Sequence, residues 1–289
     1  MKPAHPPSPT ALQPGLYLVA TPIGNARDIT LRALDILAAA DVIAAEDTRT
    51  ARKLLEIHGV ALGERPLIAY HDHSGEAGRA GIVKLIGAGK SVAYVSEAGT
   101  PLVSDPGYAL ARDVAAAGGY VTAAPGASAV LAALSLAGLP SDRFLFAGFA
   151  PSARAARRTW LEELVAVPAT LVIYESPRRV HDLLADLVDI AGGSRRAAVA
   201  RELTKKFEEV LRGDLGELSS RLEGRQLKGE VVVLVDRGHD EVAEETMEAA
   251  LRRALETMSL KDAAATVAEA YGIKRRKVYQ AALEMEKDG

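Results

Sequence analysis

The chain of 289 residues contains no cysteine, which excludes disulfides and thiolate metal sites outright. It has no apolar run near the roughly 18 residues that a membrane helix needs. The N-terminus carries no charged region followed by a hydrophobic one, so nothing there reads as an export signal. Charge of one sign is also missing: 35 Lys and Arg against 38 Asp and Glu leave a formal net charge of −3. Without a basic coat, any contact with nucleic acid has to come from a local patch. Three ligand-binding motifs are absent too: the GxxxxGK[ST] phosphate loop, GxGxxG after the first strand, and the GxSxG nucleophile elbow. These absences predict a cytoplasmic protein that does not enter a membrane.

What is present is an ordinary globular composition, 48% hydrophobic and 25% charged, in a chain long enough for two domains and an appendage. Residues 1–14 hold five prolines and little to bury, which predicts a disordered leader. From Gly15 short apolar runs alternate with amphipathic ones: LYLVA, DVIAA, PLIAY, SVAYV and YVTAAP, each followed by a helix-like stretch. That order predicts βαβ crossovers and a largely parallel sheet over residues 15–142, covered on both faces. A second α/β domain is expected over residues 143–239, closing on GEVVVLVD, the strongest strand signal in the chain. Residues 240–289 show no strand-like run and are expected to be all-helical.

Parallel sheets bind ligands outside the carboxyl ends of their strands. Here those ends read TPIGN, EDTR, YHDHSGE, SEAGTPLVSDPG and APGASA, all polar or glycine-rich, whereas the opposite loops hold small residues and solvent-seeking charges. The twelve residues Ser96–Gly107 far exceed an ordinary strand-to-helix link of two to six, so something besides chain reversal is built there. HDH at 71–73 has metal-ligating residue types, but alternate residues at a strand end point opposite ways and no second histidine cluster exists. It reads as a polar turn, and no metal is expected.

Six separated stretches, LYLVATPIGNARDITLRALDILAAADVIAAEDTRTARKLL, SEAGTPLVSDPG, PGASA, YESPRR, ARELTKKFEE and KGEVVVLV, resemble the tetrapyrrole-methylase superfamily, and more closely its ribosomal RNA branch, which methylates a cytidine 2′-hydroxyl of 16S rRNA. Where tetrapyrrole enzymes usually carry GDP, this chain has AGTP at 98–101, a departure that favours the RNA branch. The resemblance implies two α/β domains with S-adenosylmethionine folded up in the cleft between them. It implies a cofactor site of Pro22, Gly99, Thr100, Pro101, Val103, Ser104 and Asp105, with Ala127, Ser128 and Ala129 at a helix start. From the second domain it implies Tyr174, Arg201, Glu202, Leu203, Gly229 and Glu230 around the adenine and ribose. The residue types agree: a cationic sulfonium with an amino-acid end calls for backbone acceptors, donors and small residues rather than a phosphate nest. Related enzymes are commonly dimeric, and a homodimer is expected.

Transfer to a ribose hydroxyl is an in-line displacement at the methyl carbon, helped by a base that takes the proton. Rim candidates are Glu46, Asp47, His71, Glu97 and Asp105; Glu46, His71 and Glu97 are kept as catalytic candidates. Asp47 and Asp105 each have an alternative as an N-cap, of helices starting at Thr48 and Pro106.

The tail carries the substrate argument. Ser259 to Lys287 reads as a Ser-capped helix, a Gly-Ile turn and a second helix opened by Lys274, Arg275, Arg276 and Lys277, the outline of a helix-turn-helix. Residues 241–289 hold ten acidic and eight basic residues, so the clustering, not the total, makes a patch; the alternative is a solvated face of a small bundle. Arg49, Arg178 and Arg179 are further candidates for RNA contact, with Arg154, Arg157 and Arg158 extending a basic line. The expected partner is 16S rRNA within the small ribosomal subunit. Two other readings stay open: a small-molecule methylase, which needs no basic helical appendage, and a nucleic-acid-binding regulator, which needs no polar strand ends.

Overall fold

The computed structural model describes residues 11–71, 74–237 and 241–287, and the chain forms two compact units, Met1–Arg237 and Gly238–Gly289. Strands β1 (Gly15–Val19), β2 (Val42–Ala45), β3 (Leu67–Ala69), β4 (Ser91–Val95) and β5 (Val121–Ala124) make one sheet in the order β3-β2-β4-β1-β5, with every pairing parallel. Alternation along β1 sends Tyr17 and Val19 to one face and Leu16 to the other. Helices α1 (Leu31–Ala39) and α2 (Thr48–Ile57) cover the first face, and α3 (Gly75–Gly87) and α4 (Tyr108–Ala116) the second. Thus the helices that follow the neighbouring strands β1 and β4 leave toward opposite faces. A crevice opens at such a switch point, and the loops bordering it are Thr21–Asn25 and Ser96–Gly107.

The second sheet is mixed. Strands β6 (Phe144–Phe149), β7 (Thr170–Glu175), β8 (Arg196–Arg201), β9 (Glu209–Asp214) and β10 (Val231–Val235) lie in the order β6-β7-β10-β8-β9. Only β6 and β7 run parallel; the other neighbours are antiparallel. One face is covered by α6 (Arg154–Val165), α7 (Val180–Ala191) and α8 (Leu215–Leu222). The other face is covered from the first half: α5 (Ala129–Ala137), which follows β5, packs Val130, Ala133, Leu134 and Ala137 against Val172, Ala198, Val232 and Leu234. The α5 start, capped by Ser128 accepting from the Leu131 N–H, therefore sits at the joint between the sheets.

Among its described residues the second unit has three helices, α9 (Glu241–Leu255), α10 (Leu260–Tyr271) and α11 (Arg275–Lys287), around Met247, Leu251, Ala263, Ala264, Val267, Ala268, Val278 and Ala282. Ser259 caps α10, and Gly272, at φ +64°, ends it in the left-handed conformation that costs a glycine least.

Two local expectations change. Residues 1–10 of the expected leader lie outside the described residues, but two of its last four are held: Leu12 packs on the first core and the Gln13 carbonyl accepts from the Tyr17 hydroxyl at 2.9 Å. The helix expected from Pro106 begins at Tyr108 with Gly107 at its N-cap, φ +121°. A Cβ at Gly107 would meet the Tyr94 ring at 2.7 Å, so the turn is tight against the core and Asp105 is not a cap. No described helix is long and apolar enough to cross a membrane.

Candidate active site

The loop Ser96–Gly107 is pinned at both ends of its first turn. Thr21 and Gly99 exchange backbone hydrogen bonds of 2.9 and 3.0 Å, the Ser96 hydroxyl donates to the Gly99 carbonyl at 3.2 Å, and the Thr100 hydroxyl donates to the Ala127 carbonyl at 3.0 Å. Three strand ends, those of β1, β4 and β5, are thereby tied into one wall. Leu102 and Ser104 sit at φ +73° and +59° in this loop, and Glu202 and Thr204 at +51° and +62° in the loop after β8. Non-glycine residues pay on the order of 1 kcal/mol or more for such backbone. All four of these outliers occur on the two loops that face each other across the joint.

Between those loops lies a cavity of about 640 Å³, within the usual range for a small-molecule site. Of the cofactor residues expected from the sequence, it is lined by Pro22, Gly99, Thr100, Val103, Ser104, Asp105, Ser128, Ala129, Tyr174, Gly229 and Glu230, together with Glu46 and Glu97. The others stand behind the wall. Pro101 is buried under the turn, the Ala127 carbonyl holds Thr100, and Leu203 belongs to the core. Arg201 spends its guanidinium on Glu209 and the Lys228 carbonyl. Glu202 supports the Gly229–Glu230 edge: it accepts from the Glu230 N–H at 3.3 Å and from the Lys205 ammonium at 2.9 Å. A Cβ on Gly229, at φ +87°, would overlap that carboxylate, so only glycine allows the approach.

Of the catalytic candidates, the structure brings Glu46 and Glu97 together: the Glu97 N–H donates to Glu46 Oε2 at 3.3 Å. His71 is not with them. It follows the edge strand β3, outside the cavity wall, and its backbone N–H donates to the Ser74 hydroxyl at 2.9 Å. Asp72 and His73, the rest of the HDH stretch, lie outside the described residues; among the described residues no group of three or more His, Asp or Glu is placed to hold a metal. Asp47 caps α2, accepting from the Arg49 N–H at 2.7 Å, and the Arg49 hydrogen bonds hold its carboxyl down at about 2.

The cavity also takes residues not named as site candidates from the sequence: Phe149, and, within the YESPRR and ARELTKKFEE stretches, Glu175, Ser176, Pro177 and Lys205. The strand-end rule applied to the first domain would have marked Phe149 and Glu175–Pro177 at the ends of β6 and β7; Lys205 has no such signal, since its position depends on the left-handed turn at Thr204. Lys205 bonds to Glu202 and Glu230, each at 2.9 Å. Burial pushes its pKa down, but the two carboxylates outweigh that and hold it above the ordinary value, so it is a cation. Burial pushes the Tyr174 phenol up to about 12, so it stays neutral. The wall carries Glu46, Glu97, Asp105, Glu175 and Glu230, of which Glu175 is paired with Arg179 and Glu230 with Lys205, leaving an excess of negative charge. That field favours a cationic ligand, and the α5 start offers amides to a carboxylate.

Along the basic line expected in the second domain, most of the arginines are ion-paired. Asp186, with a side chain 2% exposed, bonds to Arg154, Arg157 and Arg158 at 3.3, 2.7 and 3.0 Å, and Arg157 is itself 3% exposed. Arg179 turns inward to Glu175 at 2.9 Å and to the Ala150 carbonyl. Arg157 satisfies buried charge, whereas Arg154, Arg158 and Arg179 keep 70%, 32% and 33% of their side chains exposed. Arg178 is exposed, and Arg49, although 91% exposed, pairs with Asp47. In the helical unit Lys274, Arg275, Arg276 and Lys277 are all exposed at the start of α11, which buries Val278 and Ala282 behind them.

Two α/β sheets joined by α5, with a ligand-sized cleft at the joint, define the tetrapyrrole-methylase class. The model of that family, Tetrapyrrole (Corrin/Porphyrin) Methylases, matches residues 15–219, and the model of the RsmI C-terminal HTH domain matches residues 240–286. The solved structure of uroporphyrin-III C-methyl transferase from Thermus thermophilus complexed with S-adenyl homocysteine has the same fold, with a TM-score of 0.52 at 19% identity over 76% of this chain and 96% of that one. Proteins named ribosomal RNA small subunit methyltransferase I are far more similar. The one from Mesorhizobium japonicum is 49% identical over 95% of this chain and 93% of its own length, and the one from Pseudomonas aeruginosa 43% identical over 94% and 97%. The chain belongs to the ribosomal RNA small subunit methyltransferase I family of tetrapyrrole methylases.

Proposed function

We propose that the chain transfers a methyl group from S-adenosylmethionine to the 2′-hydroxyl of a cytidine in the decoding region of 16S rRNA, acting on the small ribosomal subunit in the cytoplasm as a homodimer. The observation that carries this reading is the near full-length likeness to the small-subunit methyltransferases, which extends through the helical unit with its basic cluster. The cleft fits the donor. The excess of carboxylates suits a sulfonium, the α5 start suits its amino-acid carboxylate, and the backbone edge at Gly229–Val231 suits an adenine.

When bound, the donor supplies a methyl carbon on a positively charged sulfur. The ribose oxygen forms the new bond to that carbon as the carbon–sulfur bond breaks and its electron pair stays on sulfur. The hydroxyl proton passes to a carboxylate, Glu46 or Glu97, the two candidates that line the cavity. Asp105 lines it too, but it follows the strained Ser104 turn and serves the donor side.

Calorimetry with S-adenosylmethionine tests the donor site without RNA. Binding is expected with no added metal, and Thr100→Arg, which fills the cleft and breaks the bond to Ala127, is expected to abolish it. Undiminished binding in that variant takes the cavity out of the reading.

A further inference from the structure

Phe149 stands out among the cavity residues because an aromatic ring 59% exposed lies where a ligand site is built. Its direction is set by a fault in the strand. β6 follows β7 in register through Phe146 and Val172, then skips Ala147, so that Gly148 pairs with Ile173 and Phe149 with Tyr174. Gly148 takes φ +71° to make that bulge. Phe146, Val172 and Tyr174 face the cleft side, while Leu145, Leu171 and Ile173 face the helices. Simple alternation would therefore place Phe149 with Leu145 and Ala147, against the helices. The inserted residue flips it to the cleft, since a slip of one reverses the face.

The ring is also held. Tyr174 meets it edge-on at 5.5 Å, and Phe146 meets Tyr174 at 4.8 Å, a short aromatic stack that fixes Phe149 while leaving much of it open. β6 is the outermost strand of its sheet and Phe149 its last residue, so the exposed ring stands apart from the Gly229–Val231 edge, where Val231 is buried; we take the ring's side as the mouth. A nucleotide still joined to a long RNA can enter only from the mouth. A ring presented there meets an unstacked base, the form in which single-stranded RNA is recognised.

We propose that Phe149 is the stacking platform for the base of the nucleotide being methylated, and that the Ala147–Gly148 bulge exists to aim it. This rests on the function proposed above. It adds that the substrate is a nucleotide unstacked from its neighbours, not one held in a duplex.

The test uses the full chain with Phe149→Leu, which keeps apolar bulk but loses the flat face, and Phe149→Tyr, which restores that face. Two readouts are taken: S-adenosylmethionine affinity by calorimetry, and methyl transfer to undermethylated small subunits. Phe149→Leu is expected to keep donor affinity within about twofold and to lower kcat/KM for subunits by roughly tenfold or more, the range of one base stack removed; Phe149→Tyr is expected to recover most of it. Donor affinity weakened tenfold would assign the ring to the adenine and overturn the proposal. Unchanged transfer in Phe149→Leu would overturn it as well. A parent protein that binds donor but methylates no RNA would overturn the functional reading, and this inference with it.

Discussion

Asp47, Glu46 and His71 all follow strand ends of the first sheet, yet they end in different work. Asp47 is taken by the α2 start, His71 is carried off by the edge strand β3, and Glu46 is left in the cavity with Glu97. Residue type alone did not separate them, because a capping aspartate and a catalytic carboxylate look the same in sequence; the hydrogen bond to the Arg49 N–H does. Substituting Glu46→Gln and Glu97→Gln is expected to lower methyl transfer by about 10² or more in at least one case, with S-adenosylmethionine affinity nearly kept. His71→Ala is expected to retain turnover. Steady-state rates on small subunits with parallel calorimetry check this, and a large loss for His71→Ala alone would move the base to β3.

At the scale of elements, the α6–α7 pair shows how a basic sequence can be structural. Arg154, Arg157 and Arg158 converge on Asp186, whose carboxyl burial pushes up and the three guanidiniums hold down overall. Removing that charge leaves Arg157 buried with no counter-charge, so Asp186→Asn is expected to destabilise the fold by about 3–5 kcal/mol. Arg154→Ala, at a side chain 70% exposed, is expected to cost about 1 kcal/mol or less. Denaturant midpoints of both variants measure the difference; equal, small shifts would mean that the network carries little. The pairing was not legible in sequence because Asp186 lies a helix away from its arginines. The alternation of strands and helices was legible, since period 2 and period 3.6 are local properties of the chain. The bulge that turns Phe149, the left-handed turn that brings Lys205 inward, and the way α5 covers the second sheet were not, because each depends on contacts between distant segments.

For the whole molecule, the proposed function places chemistry in the cleft of Met1–Arg237 and expects substrate capture by the basic cluster of the helical unit. Replacing Lys274, Arg275, Arg276 and Lys277 together by alanine is expected to weaken binding to small subunits and flatten its salt dependence, by roughly 0.7–0.9 released counterions for each phosphate no longer neutralised. S-adenosylmethionine affinity is expected to stay the same. Binding across a salt series, with thermal melting to confirm that α11 still folds over Val278 and Ala282, reads this out, and an unchanged slope in a folded variant makes the cluster a solvated face. The claim that unites both units is tested most directly by incubating the purified chain with S-adenosylmethionine and small subunits from cells that lack it, then mapping ribose methylation along the 16S rRNA. The account predicts one new 2′-O-methyl group, on a cytidine of the decoding region; no transfer, or a methyl group on a base or on a tetrapyrrole instead, would contradict it.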